Sequence, residues 1–241
     1  MAVKQRPTGG SKVPHKPEDD HIYESPEALR SNLETFAERN SKALIGAGVV
    51  IALVIAGVFF YAYWQNNRET RAQESMFSAQ FHWEKDSLNY ALNGDGVNPG
   101  FLEIAEDFGG TKAANLANYY AGDIFLKQGE YDQAIEYLSD FSSDDILVQA
   151  RAYALIGKAY MEKEQYGEAA DHFEKAANHR ANKSFTPQYL AQAALAHELA
   201  GDNEAALGIY TRITENYNGS GEFENARKQQ ARLEAMTGKA E

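Results

Sequence analysis

Residues 43–64 read ALIGAGVVIALVIAGVFFYAYW, a run of 22 residues without a charge. A helix of that length measures roughly 33 Å, enough to cross a hydrocarbon core of about 30 Å. A cleaved leader would start near the N-terminus and finish in small residues. Here 42 residues come first, and the run ends in Phe59, Phe60, Tyr61, Tyr63 and Trp64. We read an uncleaved signal anchor over 43–64, with its aromatic end at one membrane interface. Gly48, Ala52 and Ala56 recur every four residues and form a small-residue face. Such a face allows helix–helix packing in a membrane, although Gly and Ala are common in spans generally. The mean hydropathy of -0.53 conceals this segment, because it averages the run with a polar remainder.

The flanks differ in character. Residues 1–24 carry three prolines, a Gly-Gly pair and mixed charge with no apolar period, and are expected to form a disordered tail. Ser25-Pro26-Glu27 has the order of an N-cap, a first-turn proline and an acidic first turn. Leu29, Leu33 and Phe36 follow at helical spacing, so 25–42 is either an amphipathic helix lying on the membrane or a loose linker. Arg30, Arg39 and Lys42 precede the span, and Arg68 and Arg71 follow it. The positive-inside tendency then places the N-terminus in the cytoplasm and the larger C-terminal part across the membrane.

Residues 65–114 should hold a connecting helix and one degenerate helix pair, 66–92 and 101–108. Ala72, Met76, Ala79, Trp83 and Tyr90 make its apolar stripe, and NGDGVNPG at 93–100 makes its turn. A repeat follows. Gly122, Phe125, Gly129, Tyr131, Ala134 and Leu138 match Gly157, Tyr160, Glu164, Tyr166, Ala169 and Phe173 thirty-five residues on. His197, Gly201, Asn203, Ala206 and Tyr210 form a third set thirty-seven residues further. A helical period of this size means stacked helix pairs: small residues let the two helices of a pair approach, and large ones fill the space to the next pair. Three repeats are expected over 115–221, and a capping helix and tail over 222–241.

GDIFLKQGEYDQAIEYL, from Gly122 to Leu138, resembles the tetratricopeptide repeat, and YALIGKAYMEKEQYGEAADHFEKA matches nearly as well. The third repeat departs from the usual pattern at Leu190, Ala194, His197 and Asn203. The expected fold is all-α: one N-terminal transmembrane helix, then a tetratricopeptide-repeat-like α-solenoid. The resemblance implies a concave protein-binding groove lined by the first helix of each pair. By position it holds Leu116, Tyr119, Asp123, Leu126 and Lys127 from the first repeat. The second supplies Ala154, Lys158, Met161 and Glu162; the third supplies Ala191, Leu195, Glu198 and Leu199. Each of these either lines the groove or packs between repeats. Relatives that grip the acidic C-termini of cytosolic chaperones use a Lys/Asn clamp. Here those positions hold Tyr119, Asp123, Leu155, Gln188 and Gln192, so the clamp is missing.

No catalytic chemistry is legible. The chain lacks cysteine, which excludes disulfides, thiolate metal sites and a lipidated-cysteine anchor. It has no Gly-rich phosphate loop, HExxH or Gly-x-Ser-x-Gly elbow. The six histidines, His15, His21, His82, His172, His179 and His197, show no metal-ligand spacing. Asp144-Asp145 reads as a helix cap or solvated turn rather than an acid–base pair. A net charge of -12 argues against nucleic acid. We expect no enzyme, no cofactor, no metal and no small-molecule substrate.

The layout as a whole is more specific. FLEIAEDFGGTKAANLANYYAGDIFLKQGEYDQAIEYLSDF (101–141), TPQYLAQAA from Thr186 and ENYNGS before the cap resemble the ancillary SecYEG translocon subunit family. That resemblance implies a single-pass protein of the bacterial inner membrane with its repeats in the periplasm. It also implies translocon subunits and periplasmic chaperones as partners, including a membrane-anchored prolyl isomerase. The residues alone leave open a repeat receptor or scaffold facing the cytosol, or an envelope-assembly scaffold unconnected with the channel. They also leave open a homo-oligomer built on the small-residue face.

Overall fold

The computed structural model describes residues 25–238; the expected disordered tail (1–24) with His15 and His21, and residues 239–241, lie outside it. Among the described residues there are eleven helices and no strand, in two compact units divided between Phe60 and Tyr61.

In the first unit, α1 is the helix Pro26–Arg39. Ser25 Oγ accepts from the Ala28 N–H at 3.3 Å, and Pro26 opens the first turn. Leu29, Leu33 and Phe36 are all exposed and touch no core. α2 (Ser41–Glu84) contains the apolar run. Its most apolar 18-residue window has a mean hydropathy of 2.8 and no buried residue. It is long and apolar enough to cross a membrane. A Cβ on Gly48 would have open space within 4 Å, so among the described residues no neighbouring helix covers this part of the small-residue face.

In the second unit the rest of α2 packs against α3 (Leu88–Asn93), α4 (Phe101–Asp107) and α5 (Lys112–Gln128). Ala72, Met76 and Ala79 are buried there with Phe101 and Ile104. Side chains of α2 also satisfy helix ends that would otherwise be orphaned. Arg68 Nη2 donates to the Asp107 carbonyl at 2.8 Å, and Glu69 Oε2 accepts the Lys112 N–H at 2.6 Å. The expected helix over 66–92 is not one helix. It breaks at 85–87, where Asp86 adopts φ 57 and the Ser87 N–H closes onto the His82 carbonyl at 2.9 Å. Aspartate tolerates this left-handed region better than most residues. The break shifts the helical phase, so Tyr90, expected on the buried stripe, is 54% exposed.

Three helix pairs then stack in chain order: α5 with α6 (Tyr131–Asp140), α7 (Ile146–Glu162) with α8 (Tyr166–Asn178), and α9 (Thr186–Ala200) with α10 (Asn203–Asn216). Close approach within a pair depends on a small residue. A Cβ on Gly122 would sit 2.5 Å from Leu138 Cγ, and one on Gly157 would sit 3.0 Å from the Phe173 ring. Thr111 and Asp145 cap α5 and α7 through their side chains. α11 (Phe223–Thr237) closes the array by burying Ala226 and Leu233 in the core of the last pair.

Candidate protein-binding face

The first helices of the three pairs, α5, α7 and α9, carry all the groove positions expected from the sequence, but these positions have different environments. On α5, Tyr119 is buried against Phe141, with ring centroids 5.2 Å apart. Burial pushes its phenol up to about 12, although the positive charge of Arg151 pulls the other way. Leu116 and Leu126 are half-buried between the cores of neighbouring pairs.

Asp123 is only 5% exposed, which for a carboxylate requires partners. It has two: Trp83 Nε1 donates to Oδ2 at 3.2 Å, and Lys127 Nζ lies 2.8 Å from the same oxygen. Lys127 also sits over the Trp83 ring at 4.9 Å. Asp123 and Lys127 therefore fasten α5 to the end of α2.

On α7, Ala154 is buried, Met161 is half-buried on the same core, and Lys158 and Glu162 are exposed. Glu162 Oε2 accepts weakly from the Tyr131 hydroxyl at 3.5 Å. Asp145 is a cap, as expected: it accepts the Leu147 and Val148 N–H groups, and these bonds hold its carboxyl below the usual carboxylate range.

On α9, Leu195 and Leu199 are 48% and 49% exposed, large apolar side chains turned to solvent. Ala191, Leu195 and Glu198 come together in an open groove of about 720 Å³, walled opposite by Asn225, Lys228 and Arg232 of α11. Glu198 is not free within it. Its carboxylate accepts from the Tyr210 hydroxyl at 2.9 Å and is paired with Arg232, so it locks the last helix onto the array. Burial and this bond raise the Tyr210 phenol. Sequence reasoning missed the α11 wall. Its signal was available in the spacing of Asn225, Lys228, Gln229 and Arg232, a polar stripe along one face of the cap.

Two of the histidines take part in contacts between helices. His197 Nε2 meets Glu174 at 2.9 Å, tying α9 to α8, and His179 closes α8 with its ring against Tyr153. Among the described residues no group of three acidic or histidine side chains is placed to hold a metal.

Comparison with known proteins agrees with this arrangement. The family model described as tetratricopeptide repeat matches residues 105–145, 119–187 and 155–221. No curated protein matches the chain. The matched segments overlap across α5 to α10, the same helices that pair and stack in the structure. Residues 105–221 thus match the tetratricopeptide repeat, a family of protein-binding scaffolds.

Proposed function

We propose that this chain is a membrane-tethered scaffold that works as an accessory subunit of the Sec translocon. It binds emerging secretory proteins and passes them to periplasmic chaperones, among them a membrane-anchored prolyl isomerase. The observation that carries the tethered scaffold is the pairing, in one chain, of tetratricopeptide repeats with a helix whose most apolar window has no buried residue. The likeness of 101–141 to the ancillary translocon subunits supports the finer reading. So does the missing Lys/Asn clamp, which counts against a cytosolic receptor for acidic chaperone tails. In this reading the N-terminus is cytoplasmic and the repeats are periplasmic. The exposed leucines of α9 supply apolar contact for a partner segment.

One preparation tests both parts. Spheroplasts are treated with protease, and a second portion is solubilised in mild detergent for co-purification on the tagged chain. We expect digestion of 65–241 from outside, with channel subunits and a periplasmic chaperone in the eluate. Protection of the repeats would replace this reading with a cytosol-facing scaffold. Accessible repeats without channel subunits would leave an envelope-assembly scaffold.

A further inference from the structure

A cavity of about 190 Å³ lies between the N-terminal turns of α7 and α9, apart from the α9–α11 groove. Ile146, Leu147 and Phe185 give it an apolar lining, and these three side chains are 40–50% exposed because none of the described residues covers them fully. Arg151 and Tyr189 share the same lining. Arg151 is exposed and makes no ion pair with any described residue, and its charge reaches the hydroxyls of both Tyr119 and Tyr189. His179 lines the cavity too, and its Nε2 is buried without a hydrogen-bond partner. An unpaired guanidinium beside an apolar hole, with an unsatisfied ring nitrogen nearby, is complementary to a carboxylate attached close to a bulky apolar group.

The size of the cavity decides which peptide can supply both. It accommodates a single side chain. In an extended segment the next residue points to the opposite side, and the one after lies roughly 6.6 Å along. An internal acidic residue therefore cannot share a one-residue pocket with its apolar neighbour. A C-terminal residue can, because its α-carboxylate and its side chain leave the same Cα. We propose that this cavity anchors the C-terminal residue of a partner polypeptide, with its aromatic or aliphatic side chain between α7 and α9 and its α-carboxylate on Arg151. The proposal rests on the reading of the repeats as a protein-binding scaffold and names one subsite of it. The surplus of acidic residues over 65–241 further selects a partner tail with one carboxylate over a tail rich in Asp and Glu.

The test uses the full chain in detergent micelles and a fluorescein-labelled Gly/Ser peptide ending in Phe. The peptide is supplied as the free acid and as the C-terminal amide, and binding is read by anisotropy. The free acid should bind about tenfold more tightly than the amide, the scale of one charge-assisted pair. Arg151→Gln should weaken the free acid to the level of the amide and leave the amide unchanged, with the circular-dichroism spectrum unaltered. Arg151→Lys should restore part of the difference. Equal binding of acid and amide, no effect of Arg151→Gln, or no saturable binding by the folded wild type would each overturn the proposal. None of these results bears on whether channel subunits co-purify, so the anchor and the translocon assignment fail independently.

Discussion

Glu164 occupies, in the second repeat, the place that Gly129 and Gly201 hold in the first and third. All three residues end a first helix in the left-handed region, at φ 58, 84 and 84. Each turn is closed by the same bond from the following residue back across the helix end: Glu130 to Phe125, Gln165 to Tyr160 and Asp202 to His197. Only glycine adopts that conformation without a steric cost. Glu164→Gly should therefore raise stability by about 1 kcal/mol, visible as a higher urea midpoint with an unchanged slope. The repeat offset alone put Glu164 in register with two glycines; the dihedral angle shows that the backbone does not relax to suit the glutamate. His172 is a second residue under tension. Its Nδ1 is buried without a partner and its ring stacks on Tyr160 at 5.4 Å. Burial first, and then Lys175, hold its pKa below the usual 6.5. The unfolded chain thus takes up this proton at higher pH than the folded chain does. The stability tied to His172 is complete above pH 6.5 and is lost as pH falls from there towards the folded value. Denaturant titrations at a series of pH values should show this slope in the wild type, and His172→Phe should reduce it.

At the scale of elements, the helices that follow a strong period were legible and their interruptions were not. Gly122 and Gly157 marked close helix contacts correctly, because a small residue amid large apolar ones has a packing reason visible in sequence. The break at 85–87 has no glycine or proline to announce it, so the sequence reads through it. The groove assignments divide in the same way. Leu195 and Leu199 are solvent-facing, whereas Tyr119 and Ala154 are buried. Asp123 and Lys127 are engaged by Trp83, a residue 40 positions earlier that spacing within the repeat cannot foresee. Asp123→Ala should cost about 1–3 kcal/mol, because it strands the part-buried indole N–H of Trp83. Little of that comes from Lys127, whose side chain is 44% exposed and screened by solvent. Asp123→Asn keeps an acceptor for Trp83 and should lose less. Urea denaturation followed by far-ultraviolet circular dichroism separates the two variants.

Over the whole molecule, charge is distributed as unevenly as hydropathy. Residues 1–42 hold 7 of the 23 basic and 7 of the 35 acidic side chains and are neutral. The run 43–64 holds none, so the remaining 16 and 28 place the entire -12 on residues 65–241. That charge keeps a repeat array with exposed leucines soluble and repels an anionic lipid surface. The sequence by itself determined the apolar helix, the all-α class and the repeat register, because each rests on a period or a run carried within a few turns of chain. Only the tertiary structure decided which first-helix residues are free to meet a partner. Whether a helical side chain faces solvent or a neighbour depends on what stacks beside it, and at Asp123, Glu198 and Arg151 that is settled by Trp83, Arg232 and the α7–α9 cavity.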